Sequence, residues 1–242
     1  LSTATPIETL EGKFVVAREE LYFYVTKRLE GKQLKASTMY FEDYMSKARF
    51  IGEIVGQLSV ALSKVEVITN QANIFKSAKE WAIPALSGKM DLPKSFVEMY
   101  EKEFGEIYES LPQQIIHRDP NPGNIILCGD NWGVLDFDLS ERNIRIFDPC
   151  YAATAILSES FEADNTDKLN QWIMIYKNIL YGYDEVVKLS DNEWKAIPYV
   201  VITNQLISTA WFSEQEKYRE LYETNKKMTE WMLHNFDDML FE

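Results

Sequence analysis

Ile116-His117-Arg118-Asp119-Pro120-Asn121-Pro122-Gly123-Asn124-Ile125-Ile126 sets a loop dense in turn formers between two apolar pairs. Asp136, twelve residues beyond Asn124, stands in Leu135-Asp136-Phe137-Asp138 after a further apolar run, Val134-Leu135. The pattern reads as strand, loop, strand, hairpin and strand end. Pro120 and Pro122 fix their backbone angles and Gly123 permits a tight turn, so the loop holds Asp119 and Asn124 in register at its two ends. Two oxygen-bearing side chains then face one cavity, and Asp136 brings a third from the neighbouring strand. Either piece alone is weak, because an Asp-Pro-Asn-Pro-Gly run also makes a plain turn. Together they are far more specific.

The chemistry that needs this set is phosphoryl transfer. It requires a carboxylate to take or orient the proton of an attacking hydroxyl, and hard oxygen ligands for Mg²⁺ beside the phosphates. The spacing His-Arg-Asp-x-x-x-x-Asn followed by a strand-borne Asp is that of a kinase catalytic loop. The eleven residues from Ile116 to Ile126 resemble the Brenner-type motif of aminoglycoside phosphotransferases and choline kinases, and Leu135 to Asp138 resembles the metal-binding strand of the same family. That resemblance implies Asp119 as catalytic base, Asn124 and Asp136 as Mg²⁺ ligands, and His117 as a residue that orients the loop. It also implies ATP as donor, with GTP not excluded. Asp148, in Arg145-Ile146-Phe147-Asp148-Pro149, is similar to the aspartate that opens the family's next helix, where it would cap and brace.

The fold implied is α+β and protein-kinase-like: mainly a helical C-terminal lobe, with a small β element and the remnant of an N-terminal lobe. Lys13–Val16 and Leu21–Thr26 read as a hairpin, Lys27 to Gly31 as a linker, and Thr38 to Val65 as a long helix with apolar positions at spacings of three and four. A short helix is expected near Ala72–Ala82 and another from Pro93 to Leu111, with four helical segments after Phe147, the last over Ser213–Asp238. Residues 1–31 form the expected nucleotide-lobe remnant and hinge, and residues 32–242 the catalytic and substrate-binding lobe. By the resemblance, hinge backbone meets the adenine ring and Leu29 lies nearest to it. The family's first residues, roughly 80 to 100 by ordinary domain sizes, are expected to be missing, and the isolated chain is expected to be weakly active or inactive.

A protein kinase fits poorly. The metal strand reads Asp-Phe-Asp, without the flexible glycine. Eleven residues separate Asp136 from Asp148, with no Ala-Pro-Glu, so a peptide-docking segment has no room. The acceptor implied is a hydroxylated small molecule. The formal net charge of −13 argues against nucleic acid and favours a cationic acceptor, or is simply solubilising. No apolar run spans a membrane and no signal peptide is visible, which fits a cytoplasmic protein; Cys128 and Cys150 match no metal or disulfide pattern. Oligomeric state is not legible.

Glu159, Glu162, Asp164, Asp184, Glu185, Asp191 and Glu193 read either as a pocket for a cation or as solvated helix faces. Trp172, Tyr176, Tyr183, Trp194, Tyr199 and Trp211 read mostly as helical core, and His234 as surface or capping. Tyr181-Gly182-Tyr183 to Leu189-Ser190 loosely resembles homoserine-kinase-like and spore-coat-like branches. Aminoglycoside, homoserine, amino alcohol and sugar acceptors stay open. So does a non-catalytic kinase-like binding or structural module, although three clustered oxygen-bearing side chains favour the enzyme.

Overall fold

The computed structural model describes residues 2–129 and 131–241; Leu1 and Glu242, which end the two expected segments, and Asp130 lie outside them. β1 (Ser2–Thr3) is followed by an antiparallel hairpin, β2 (Val16–Arg18) and β3 (Leu21–Phe23), paired Val16 to Phe23 and Arg18 to Leu21. The hairpin is present, but its turn is tighter than the expected Ala17–Glu20. Ala17 and Arg18 join the ladder, and Glu19 takes a positive φ of 56° to reverse the chain in two residues. Residues 27–30 run without regular structure into β4 (Lys32–Gln33). At Gly31 the backbone turns at φ 125° so close to β6 (Ile125–Cys128) that a Cβ would lie 2.4 Å from the Leu127 carbonyl oxygen. Only glycine fits there.

The long helix is shorter than its pattern suggests. A 3₁₀ turn at Ala36–Tyr40 precedes α1 (Tyr44–Leu62), and the break comes at Asp43, whose φ of 60° no α-helix accepts. Helix then runs unbroken over 74–86 as α2 (Ile74–Ser77), a π turn and α3 (Ile83–Leu86), further than expected because it passes through Pro84. Proline would clash with the carbonyl four residues back in an α-helix; the widened π turn just before it relieves that clash. A second such helix spans 94–108 as α4 (Lys94–Met99), a π turn and α5 (Gly105–Tyr108).

β5 (Gln113–Ile116) leads into the loop read first, and β6 and β7 (Asn131–Val134) follow as a hairpin. β4, β6, β7 and β1 form one sheet in the order β1-β7-β6-β4. β8 (Glu141–Ile144), which its polar sequence concealed, pairs antiparallel with β5. Four helices complete the chain: α6 (Phe147–Ser158), α7 (Thr166–Val187), α8 (Asp191–Ser213) and α9 (Arg219–His234). α9 is trimmed from the expected Ser213–Asp238 by a 3₁₀ turn at Glu216–Tyr218. Aromatic rings carry much of the packing. Phe75 stacks on Tyr100, Phe104 stacks on Tyr199, and Tyr199 meets Phe236. Trp172, Tyr176 and Tyr183 are fully buried, as expected of a helical core. Among the described residues no helix is long and apolar enough to cross a membrane.

Candidate active site

β5 delivers His117 into the core, where it is wholly buried, and the chain turns immediately through Arg118 at a φ of 73°. A left-handed arginine costs on the order of 1–3 kcal/mol and persists only if its surroundings hold it. Three contacts do so. The Asp148 carboxylate accepts from the His117 amide at 2.9 Å and from the Arg118 amide at 2.8 Å, and the Arg118 guanidinium pairs with the buried Glu141 on β8 at 3.2 Å. Asp148 lies one residue inside α6 and does not cap it; of the two roles expected for it, only bracing is present. Its complete burial pushes its carboxyl up to about 7, against the two amide donors that favour the charged form.

Asp119 is the next residue. Its amide donates to His117 Nδ1 at 3.2 Å, and His117 Nε2 lies 2.8 Å from the Leu135 carbonyl oxygen. A carbonyl only accepts, so the proton sits on Nε2 and the ring is neutral; burial, the largest influence, holds its pKa below the ordinary value. His117 therefore positions the loop. Two amides converge on the Asp119 carboxylate. Asn121 Nδ2 donates to Oδ1 at 2.8 Å, while Asn124 Nδ2 donates to the Asp119 carbonyl at 2.9 Å and reaches Oδ2 at 3.3 Å. The Tyr151 hydroxyl of α6 faces the same carboxylate; burial first, and Asp119 second, hold that phenol protonated.

The strand expected to bring Asp136 does so. Leu135 donates its amide to the Asn124 carbonyl at 2.9 Å and accepts from His117, so it is tied to the loop at both backbone groups. Asp136 follows with a φ of 64°, and Phe137 lays its ring 4.6 Å from that of His117. Tyr24, beyond β3, donates to Asp138 at 3.0 Å, linking the hairpin to this strand. Asp119, Asn124 and Asp136 are thus brought to one place. The donor set suits a hard cation: Asn124 spends its amide NH₂ on Asp119, which leaves Oδ1 as its acceptor atom, and Asp136 is exposed and takes no hydrogen bond among the described residues.

Leu29 lies apart from these three, in a cleft of about 240 Å³ between residues 29–30 and the β6–β7 hairpin, with Ile126, Trp132 and Gly133 around it. Gln33 Nε2, at the end of β4, donates to the Gly123 carbonyl at 2.9 Å and so ties the strand after Gly31 to the loop that carries Asp119. The seven acidic residues separate. Glu193 is buried in a bidentate pair with Arg145, Glu185 pairs with Arg49, and Asp184 accepts from the Leu189 amide. Among them only Glu159 lines the cavity beside Asp119, which Tyr151, Asn121 and Asn204 also line. Asn204, between Thr203 and Gln205 in the buried middle of α8, carries no signal of its own in the sequence. Gly182 is a packing residue, pressed against the Arg49 carbonyl. His234 is exposed in the last turn of α9, its Nδ1 2.6 Å from the Glu230 carbonyl oxygen.

Sequence profiles match residues 5–173 to a group described as "Phosphotransferase enzyme family". No curated protein matches the chain. Among solved structures, a microcompartment-associated aminopropanol kinase is similar over 100% of this chain and 78% of its own, with a TM-score of 0.68 at 13% identity. An amicoumacin kinase, solved in complex with AMP-PNP and Ca²⁺, is similar over 95% of this chain and 72% of its own, with a TM-score of 0.65 at 13% identity. A choline/ethanolamine kinase family protein from Mesorhizobium loti is similar over 98% and 77%, with a TM-score of 0.62 at 15% identity. At these identities the likeness establishes the fold, which is α+β and protein-kinase-like.

Proposed function

The chain belongs to the phosphotransferase enzyme family, and on that premise we propose that it is an ATP-dependent O-phosphotransferase acting on a hydroxyl of a small molecule. One observation supports this: Leu135, whose amide is bonded to Asn124 and whose carbonyl is bonded to His117, directly precedes Asp136. Asp119 Oδ2 would accept the proton of the acceptor hydroxyl as its oxygen attacks the γ-phosphorus. The new bond is acceptor oxygen to phosphorus; the bond broken joins that phosphorus to the β,γ-bridging oxygen, which leaves with ADP. Asn121 and Asn124, donating to the Asp119 carboxylate, orient it toward the hydroxyl. Neutral His117 takes no proton in this scheme and keeps the loop in shape.

Asn124 Oδ1 and Asp136 would hold Mg²⁺, which when bound offsets the phosphate charge. The adenine ring would lie in the cleft at Leu29 against Ile126, with residues 1–31 acting as part of a nucleotide lobe and 32–242 as the catalytic and acceptor-binding lobe. GTP is open to the same contacts. The cluster at the end of β5 is what a non-catalytic module would not need.

The test is ADP release by the full-length protein over a panel of hydroxylated acceptors, with Asp119→Asn as control. Turnover stimulated by an acceptor and reduced at least a thousandfold in the control is the expected result (on the order of 10³ for loss of a base that also positions the nucleophile). Nucleotide binding with equal, acceptor-independent ADP release in both proteins would refute it.

A further inference from the structure

A second cavity, of about 650 Å³, opens between the 94–108 helix, α7, the start of α8 and residues 240–241. It shares no residue with the cavity beside Asp119. Both touch α8, but Lys195 lines one and Ser208 the other, which sets them about 20 Å apart along the helix at its ordinary rise. None of the residues that the phosphotransferase reading uses lies in its wall.

Much of that wall is aromatic. Tyr181, Trp194 and Phe241 form one cluster, with ring centroids 4.8 to 6.0 Å apart and planes inclined by 49° to 86°. None of these pairs is stacked, so the rings do not seal one another's faces. Trp194 and Phe241 are half-buried and Tyr181 is exposed, which leaves ring surface for a ligand. Ring faces carry the negative side of the aromatic quadrupole and attract cations.

The charged groups favour the same sign. Glu103, Glu106 and Asp191 line the cavity against a single cation, Lys195. Glu103 Oε2 accepts from the Tyr199 hydroxyl at 2.7 Å, which fixes that carboxylate against a buried ring. The start of α8 does not reverse the sign: the Ser190 hydroxyl takes the Glu193 amide, and the Glu193 carboxylate stands in the same turn. An anion would meet three carboxylates here, and a neutral ligand would leave them without a counter-charge. The volume lies well inside the range of small-molecule sites, roughly 300–1,000 Å³, and exceeds what a bare ammonium fills, so the ligand needs an apolar body.

We propose that this cavity is a second ligand site, remote from the phosphoryl-transfer chemistry, and takes an organic cation. Its apolar body lies on Tyr181, Trp194 and Phe241, and its charge faces Glu103, Glu106 and Asp191. Bound there, it holds residues 240–241 against α7 and α8. The occupant needs no hydroxyl and is not phosphorylated, so the proposal does not depend on the phosphotransferase reading.

The experiment is calorimetric titration of the full-length protein with three single-ring probes: benzyltrimethylammonium, benzamide and benzenesulfonate. None carries a hydroxyl, so none is a phosphoryl acceptor. The cation is expected to bind roughly tenfold more tightly than benzamide, and benzenesulfonate most weakly. Trp194→Leu keeps the wall apolar but removes a ring face, and should lower the cation's advantage over benzamide. Glu106→Gln combined with Asp191→Asn removes two exposed charges and should cut that advantage roughly threefold; where Trp194→Leu fails to fold, this variant decides alone. Asp119→Asn should leave all three titrations unchanged. Equal or tighter binding of benzamide or benzenesulfonate, no binding of the cation, or a cation affinity unmoved by both cavity variants overturns the proposal. Loss of cation binding in Asp119→Asn overturns it too, since the cation would then sit in the cavity beside Asp119.

Discussion

A single carboxylate, Asp148, holds two consecutive amides of a loop whose second residue is left-handed. Asn at this position keeps one acceptor oxygen but turns an NH₂ toward an N–H. Loss of one such charge-assisted bond, about 1.5–3 kcal/mol, predicts that Asp148→Asn lowers kcat by roughly ten- to a hundredfold with less change in KM, measurable by steady-state kinetics. The same group predicts a pH effect. Its folded pKa is raised to about 7 by burial, above an unfolded value of about 3.9. Its contribution is therefore full below about pH 4 and is lost as pH rises through about 7. The Tm of the wild type minus that of Asp148→Asn should fall between pH 5 and pH 8, and a flat difference would show that Asp148 does not titrate there. The motif made Asp119, Asn124 and Asp136 legible because their spacing is local. Asp148 could be named, but capping and bracing could not be told apart, since the difference depends on where a loop thirty residues earlier places its amides. Asn204 carried no signal, because an Asn within the polar run Thr203-Asn204-Gln205 looks the same whether its amide is bonded or not.

Helices were legible where a period repeats and illegible where the backbone alone decides. In α1 the positions Ala48, Ile51, Ile54, Val55, Leu58 and Leu62 recur at helical spacing and are all buried. The start was misplaced because Asp43 turns left-handed, which residue type does not announce. β8 escaped notice because Glu141-Arg142-Asn143-Ile144 has one apolar residue; it becomes a strand by pairing with β5. The contact between α1 and α7 is a further case. A Cβ on Gly52 would come 2.0 Å from the Ile179 carbonyl oxygen, and one on Gly182 would come 2.0 Å from the Arg49 carbonyl oxygen. Both obstacles are backbone, which cannot swing aside as a side chain would. Gly52→Ala and Gly182→Ala should each therefore cost about 3 kcal/mol or more, the upper part of the range for overpacking, and thermal unfolding reads this directly. Gly12→Ala, at a position with open space and a φ of 73°, should cost less, about 1 kcal/mol.

Across the whole molecule stability is unevenly spread. Leu10, Phe14, Val15, Leu21, Tyr22, Phe23 and Val25 are exposed in the N-terminal hairpin region, while α7 and α8 are lined with fully buried residues. Amides of residues 5–27 should therefore exchange hydrogen faster than those of α7 and α8 by several orders of magnitude. Beside the Asp148 bonds to the loop, an ion pair links the loop-bearing sheets to the helices. Arg145, directly after β8, donates twice to Glu193 at 2.7 and 2.8 Å and once to the Lys188 carbonyl, and Glu193 also closes a capping box with Ser190 at the start of α8. The Glu193 side chain is wholly buried and that of Arg145 is 20% exposed. Burial alone would raise the Glu193 pKa; the guanidinium and the Ser190 amide outweigh it and hold the carboxyl below its ordinary value. Its contribution is thus present above the unfolded pKa of about 4.3 and is lost as pH falls through the lower folded value. Glu193→Gln leaves Arg145 without its counter-charge, and breaking a buried pair from one side costs about 3–5 kcal/mol. With one partner partly exposed, the lower end is expected at pH 7. The difference from wild type should narrow only below about pH 4, where the wild-type carboxylate is itself protonated. A urea-denaturation series at pH 7 and pH 3.5 measures both limbs, and a variant as stable as wild type at pH 7 would mean that the ion pair adds nothing to the contacts that already hold the two parts together.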